Sequence, residues 1–278
     1  MGIKLKDAAG VAHGEAGNDA RILSLVPSLT ELLFDLGLGD SVVGRTAFCI
    51  HPAGGVRRVK SVGGTKTVNM EKVLALDPTH AVVNIDETPK ALADELAGLG
   101  INVVVTHPLQ VSDNAGLYRL LGGIFGAREE ADRLAETFEA AHRRVRSRIT
   151  GAPEKKVLYL IWKDPWMTVT ADTYISRMLS LIGWQTVIPG NGPENRSDAG
   201  PRYPEIELSD TVLADIDLVL FSTEPFPFKE LHLAEFKAAF PAHGEKARLV
   251  DGQLISWYGS RAIQGLAYLE ELSAGESP

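Results

Sequence analysis

The chain is 278 residues long, 45% hydrophobic, and carries a formal net charge of −8. That length admits one large or two small domains, and the apolar share is enough to bury a core or two. The negative balance argues against nucleic-acid partners and anionic membrane surfaces, the lone cysteine, Cys49, rules out an internal disulfide framework, and no apolar run is long enough to span a bilayer.

Residues 1–20 are polar and Gly/Ala-rich, a loose lead-in with a short strand at Ile3–Leu5. They contain no apolar stretch of the signal-peptide kind. As written, the chain is expected to be cytoplasmic, or periplasmic or cell-surface if a leader was removed. Ile22–Val26 reads as a buried strand ended by Pro27-Ser28, and Ser28 or Thr30 is placed to cap a helix running to Gly37. Ser41–Gly44 is a second short strand, and Phe48–Gly64 a loop punctuated by Pro and Gly pairs. Then come a helix over Met70–Leu76 capped by Asn69, a strand at His80–Asn84, and a helix over Pro89–Leu99 closed by Gly100. A strand at Ile101–Thr106 and a helix over Asn114–Phe125 complete the first half.

Arg128–Thr150 is the organising stretch. Ala131, Leu134, Ala135, Phe138, Ala141, Val145 and Ile149 recur at helical spacing among charges of both signs, and neither Gly nor Pro interrupts them. The strand–helix pattern then restarts: strands at Val157–Trp162 and Met167–Thr170, a helix over Tyr174–Ile182, and a Gly/Pro/Asn-rich loop over Pro189–Pro204. A strand at Leu218–Ser222, a helix over Lys229–Phe240, a strand at Arg248–Val250 and a closing helix over Gly259–Leu272 end the chain. The expected fold is α/β: two Rossmann-like lobes with mostly parallel central sheets, residues 1–127 and 151–278, joined by a connecting helix at 128–150.

No catalytic signature is present. Gly63-Gly64-Thr65-Lys66 lacks the upstream glycine of a phosphate loop, and a glycine pair permitting a turn is the better reading. Cys49 and His51 are close enough to share a metal, yet no second pair completes a tetrahedral set; His51 and His107 are weak metal candidates, and for His107 and His80, each alone beside a strand end, a packed structural histidine is the better reading. Aromatic and polar residues cluster instead after three strands: Trp162 to Trp166, Ser222 to Phe228, and Trp257 to Arg261. Ligands of open α/β sheets bind beyond the carboxyl ends of the strands, so these clusters point to an aromatic-lined cleft for a large, partly apolar ligand.

Residues Arg21 to Leu33, Val42-Val-Gly-Arg45, Val62-Gly-Gly64 and Asn69 to Pro78 resemble the class III substrate-binding proteins of ABC importers, which bind cobalamin and iron siderophores and are also called helical-backbone metal receptors. Within that family the chain is similar to a branch marked by Phe48-Cys-Ile-His-Pro52 and Trp257-Tyr-Gly-Ser-Arg261. The resemblance implies two α/β lobes on one rigid helix, little closure on binding, and non-catalytic capture of a bulky chelate (cobalamin, a ferric siderophore or haem) with no covalent cofactor. It implies ligand contacts from Pro27, Ser28, Phe48, Cys49, Gly64 and Asp86 on one lobe, and from Trp162, Trp166, Glu224, Trp257, Tyr258 and Arg261 on the other. Arg261 either pairs with an anionic group of the ligand or forms an internal salt bridge with an acid such as Glu224. Docking on an ABC permease would fall to Glu71 and, where the family's second acidic position is Ser209 in this chain, to Glu207 or Asp210. The competing reading is a cytoplasmic corrinoid- or metal-handling enzyme using Cys49, His51 and Glu224; a third is a sensory or scaffold protein that kept the fold and lost transport.

Overall fold

Runs of leucine and β-branched residues, buried on both faces, build two parallel sheets. They are seen in a computed structural model that describes residues 5–17, 19–65, 67–148, 154–189 and 200–275. The lead-in forms a small antiparallel pair, β1 (Leu5–Lys6) with β2 (Ala12–His13). The first lobe continues with β3 (Ile22–Ser24), α1 (Pro27–Asp35), β4 (Val42–Arg45), α2 (Ala53–Val56), β5 (Lys60–Ser61) and α3 (Met70–Ala75). It ends with β6 (His80–Asn84), α4 (Lys90–Gly98), β7 (Asn102–Thr106) and α5 (Asp113–Ile124). Then α6 (Arg128–Arg148) runs without a break, and its Ala131, Ala135, Phe138, Ala141 and Val145 are buried at the expected spacing. At about 1.5 Å per residue it is about 32 Å long. The second lobe holds β8 (Lys155–Leu160), α7 (Tyr174–Ser180), β9 (Trp184–Thr186), α8 (Asp210–Ala214), β10 (Leu218–Ser222), α9 (Glu230–Ala239), β11 (Ala247–Val250), α10 (Gly252–Ser256) and α11 (Arg261–Ala274).

The first sheet has the order β5-β4-β3-β6-β7 and the second β11-β10-β8-β9, every pairing parallel. Parallel strands need helical crossovers, which the intervening helices supply and which cover both faces. One core cluster joins Leu23, Leu25, Val62, Val73, Ala81, Val83, Leu96 and Ile101; another joins Leu158, Leu160, Leu213, Val219, Phe221, Phe228 and Phe236. The chain divides into two compact units. One comprises Met1–Pro108, Ser112–Ala140 and Tyr258–Arg261; the other comprises Leu109–Val111, Ala141–Trp257 and Ala262–Pro278.

Several elements differ from expectation. Pro27 does not end a strand but opens α1 at its first positions, and neither Ser28 nor Thr30 caps it: the N-cap is Val26, with no side-chain cap bond. Proline suits that place because its missing N–H would have had no helical partner. The expected loop Phe48–Gly64 contains α2 and β5. Met167–Thr170 is not a strand; Met167 makes only isolated bridges, to Trp162 and Glu205. The strands and helices β9, α8 and α10 were not expected. Ile149 and Thr150, the end of the organising stretch, and much of the loop Pro189–Pro204 lie outside the described residues.

Candidate functional site

In the first sheet the chain order reverses between β3 and β6, and in the second between β8 and β10. Connections leave these strands in opposite directions, which opens a crevice at their carboxyl ends where ligands of such folds settle.

In the first unit, the loops beyond the strand ends present Phe48 and Ile50 after β4 and Ile85 after β6, at 61%, 50% and 49% exposure. Asp86 is exposed beside Ile85, Gly64 follows β5, and Ser28 is buried at the start of α1. The short segment Tyr258–Arg261 also belongs to this unit. The Tyr258 hydroxyl donates to Glu87 Oε1 at 2.6 Å. The Gly259 N–H donates to Asn114 Oδ1 at 2.7 Å, and its carbonyl accepts from the Tyr118 hydroxyl at 2.8 Å. Gly259 has φ 86°, and a Cβ there would stand 3.1 Å from the Ser28 carbonyl oxygen, so both the turn and the close approach require glycine. Arg261 closes the segment with a two-pronged pair to Glu31, Nε to Oε2 at 2.7 Å and Nη2 to Oε1 at 2.6 Å, both side chains 12% exposed.

Burial, then the charge of Glu87, raises the Tyr258 phenol well above its ordinary value, against an opposing pull from the Ser28 hydroxyl. The phenol is therefore protonated at neutral pH and acts as a donor. The acid that pairs with Arg261 within this unit is Glu31. The segment itself belongs to the first unit, whereas the sequence grouped Tyr258 and Arg261 with the second lobe.

Cys49 has no exposed surface: Thr30 donates to its sulfur at 3.0 Å, and the Thr46 hydroxyl lies 3.2 Å away. Burial pushes the thiol up, the reverse of what a nucleophile needs. It is a packing residue here. His107 Nε2 lies 3.4 Å from Asp86 Oδ2, and His51 is half-buried at the end of the Phe48 loop. Among the described residues no group of three or more His, Cys, Asp or Glu side chains is arranged to hold a metal ion. Lys66, of the Gly63–Lys66 stretch, lies outside the described residues.

In the second unit, Trp162 follows β8, is 40% exposed, and stands edge-on to Phe226 with centroids 5.5 Å apart. Its turn is braced by Ile161 N–H to the Met167 carbonyl at 3.0 Å and by Phe226 N–H to the Ile161 carbonyl at 3.2 Å. Trp166, by contrast, is half-buried and stacks on Phe228 with an interplanar angle of 8°, packed on the core cluster. Glu224, after β10, accepts from Gln253 Nε2 at 2.9 Å and from Trp257 Nε1 at 2.8 Å. Lys163 is paired with Glu235 and holds that carboxyl below its ordinary value.

Glu71, in the first turn of α3, and Glu207 are exposed. Ser209 serves as the N-cap of α8, accepting from Val212 N–H at 3.3 Å. Among the described residues no helix is long and apolar enough to cross a membrane.

Sequence reasoning missed Glu31, Glu87, Asn114 and Gln253. Glu31 carried a signal: an acid between Leu29 and Leu32 on an apolar helix announces a buried partner. The others show themselves only through contacts made far along the chain.

The chain is similar to vitamin B12-binding proteins of Yersinia pestis (strain Pestoides F), 28% identical over 203 residues covering 72% of each chain, and of Yersinia pseudotuberculosis serotype O:3 (strain YPIII), 28% identical over 167 residues covering 60% of this chain and 59% of that one. Its fold is similar to the periplasmic vitamin B12 binding protein BtuF of Vibrio cholerae, with a TM-score of 0.79 at 18% identity over 93% of this chain and 98% of that one. It is also similar to the periplasmic heme-binding protein RhuT from Roseiflexus sp. RS-1, with a TM-score of 0.75 at 23% identity over 94% of this chain and all (100%) of that one. The periplasmic binding protein family model matches residues 22–245, well over half of the sequence, and the chain belongs to that family.

Proposed function

We propose that this protein binds a bulky metal chelate, of the corrinoid, ferric siderophore or haem kind, without transforming it. It would serve as the substrate-binding component of an ABC importer or as a soluble receptor derived from one. The observation that carries this reading is the exposure of Phe48, Ile50 and Ile85 at the carboxyl ends of the first sheet, with Trp162 at those of the second. Large apolar side chains left in water at a topological switch point suit a ligand with apolar surface of its own. Family membership and the vitamin B12- and heme-binding names of the similar proteins support it. Ser28, Gly64, Asp86, Tyr258 and Arg261 are proposed to contribute from the first unit, and Glu224 and Trp257 from the second. Cys49 is proposed only as packing. Its burial and raised thiol give no support to the enzyme reading.

Cyanocobalamin, a ferric siderophore and haem, each titrated while tryptophan fluorescence is followed, test the proposal. Saturable quenching by at least one is expected, and Phe48→Ala or Trp162→Ala should weaken it by about 5- to 100-fold. Silence with all three would sink it. Permease docking through exposed Glu71 and Glu207 is proposed with it; Glu71→Arg should lower uptake by a reconstituted importer while leaving chelate affinity unchanged.

A further inference from the structure

The first sheet ends in a strand that carries none of the usual safeguards of an edge. β7 reads Asn102-Val-Val-Val-Thr106, five residues with no charge and no proline. The other sheet edges are shorter: β5 has two residues, one of them Lys60, β9 has three, and β11 has four, including Arg248. An uncharged, valine-rich edge is a template for pairing with another chain unless something covers it. Asn102 N–H donates to the Thr79 carbonyl at 3.0 Å, and the Thr106 carbonyl accepts from Ile85 N–H at 3.1 Å. Alternate residues from Asn102 therefore face β6, and Val103 and Val105 turn their peptide groups outward. The lead-in covers one of these two. Val105 N–H donates to Asp7 Oδ2 at 3.0 Å, and the Val105 carbonyl accepts from Ala8 N–H at 2.9 Å. Asp7 fixes the lead-in there. Its side chain has no exposed surface; Oδ1 accepts from Ala9 N–H at 3.0 Å and from Val11 N–H at 2.9 Å, and Oδ2 also pairs with His13 Nε2 at 3.0 Å. On either side of it, Leu5 packs so closely on Gly123 that a Cβ there would stand 2.5 Å away, and Ala16 N–H donates to the Ile124 carbonyl at 2.6 Å. Val103 has no such cover among the described residues, and a cavity of about 600 Å³ opens beside it, between Val11–Ala16 and α4.

We propose that the lead-in hairpin is a strap over a self-pairing edge, latched by Asp7: closed, it keeps the chain single; released, it lets β7 pair antiparallel with β7 of a second copy. An edge centred on Val103 suits its own copy. In an antiparallel pair, two residues that face each other can exchange both peptide hydrogen bonds, so Val103 can do this with its counterpart across a two-fold axis. β7 carries no charge to repel the second strand. The same register sets Val105 of each copy opposite Ile101 of the other. There the strap already stands, filling the plane of the sheet with Asp7 and Ala8. Pairing therefore waits on the strap, and the strap on one carboxylate.

Analytical ultracentrifugation of the full chain tests this. The unaltered protein should sediment as a monomer. Asp7→Ala, with its folding checked by circular dichroism, should self-associate at least about tenfold more tightly. Val103→Pro is the deciding arm, because it removes an outward N–H that pairing needs and the β6 ladder does not use. Asp7→Ala/Val103→Pro should return to the monomer. In that monomer the Val105 amide should exchange with deuterium at least about tenfold faster than in the unaltered protein, while the amides of β6 keep their protection. Asp7→Asn, of the same shape but with one acceptor oxygen fewer, should show the same changes to a smaller degree. A folded Asp7 variant that exposes the Val105 amide yet stays monomeric overturns the proposal. So does self-association that survives Val103→Pro, or pairing of the unaltered protein through β7 with the strap closed. Failure of both Asp7 variants to fold overturns it as well, since a strap that cannot open without unfolding the unit is not a latch.

Discussion

Removing Arg261 takes the guanidinium from a buried carboxylate, Glu31, on the mostly apolar helix α1. Breaking one side of so enclosed a pair costs about 3–5 kcal/mol, most of it the penalty of the stranded charge. Arg261→Ala should therefore unfold at clearly lower urea, whereas the apolar exchange Glu31→Leu/Arg261→Met should recover most of the loss. Tyr258→Phe removes one hydrogen bond to a charged acceptor, about 1.5–3 kcal/mol by the same measurement. The tyrosines also set a pH limit. Burial raises the phenols of Tyr159, Tyr258 and Tyr268 above their ordinary value of 10.0. In the unfolded chain they ionise near that value; in the folded chain they resist to higher pH. Their contribution is complete below pH 10 and is lost as pH climbs through the folded values. Stability should fall in alkali, and absorbance at 295 nm should show these three of the six tyrosines ionising only as the protein unfolds. These contacts were hidden in the sequence because Tyr258 and Glu87, or Arg261 and Glu31, are joined only by the fold; the ring-rich turns themselves were legible because their residue types are unusual for strand ends.

At the level of helices and strands, the long periodic pieces were readable and the short ones were not. β6 and β10 fall on the residues expected, and α6 follows its stripe to Arg148. Asn69 caps α3 as expected, its side chain accepting from Lys72 N–H at 2.9 Å, and Asn69→Ala should cost about 1 kcal/mol. In contrast α2 has four residues and β9 three, too few for either to show two full periods of its pattern. β9 exists because β8 offers it an edge: Lys155, Lys156 and Val157 pair with Trp184, Gln185 and Thr186. Where α5 meets α6, Gly122 lets the backbones close up: a Cβ there would lie 2.4 Å from the Ala131 methyl and 2.7 Å from the Ala127 carbonyl oxygen. Neither neighbour is a flexible side-chain end. Gly122→Ala is expected to force α5 off α6, lifting Tyr118 from the edge of Phe138, 5.9 Å away, at a cost of about 1–3 kcal/mol by urea denaturation.

For the molecule as a whole, the two-lobe α/β plan and the connecting helix could be read because strand–helix alternation repeats on both sides of one uninterrupted stripe. The membership of the lobes could not, since Tyr258–Arg261 lies late in the chain but completes the first of them. One result is that this lobe has no single stretch of gene that encodes it. A fragment stopping at Ala140 would expose the carboxylates of Glu31 and Glu87 and the amide of Asn114 with their distant donors cut away, and it should express as a poorly soluble, loosely packed species. Supplying a synthetic peptide that spans Ser256 to Ala262 ought to raise its melting temperature, and a peptide with Ala at 258 and 261 ought not to. Nature has, in effect, stitched the last turn before the closing helix into the opening half of the protein, so a nascent chain waits for nearly the whole polypeptide before that half is finished.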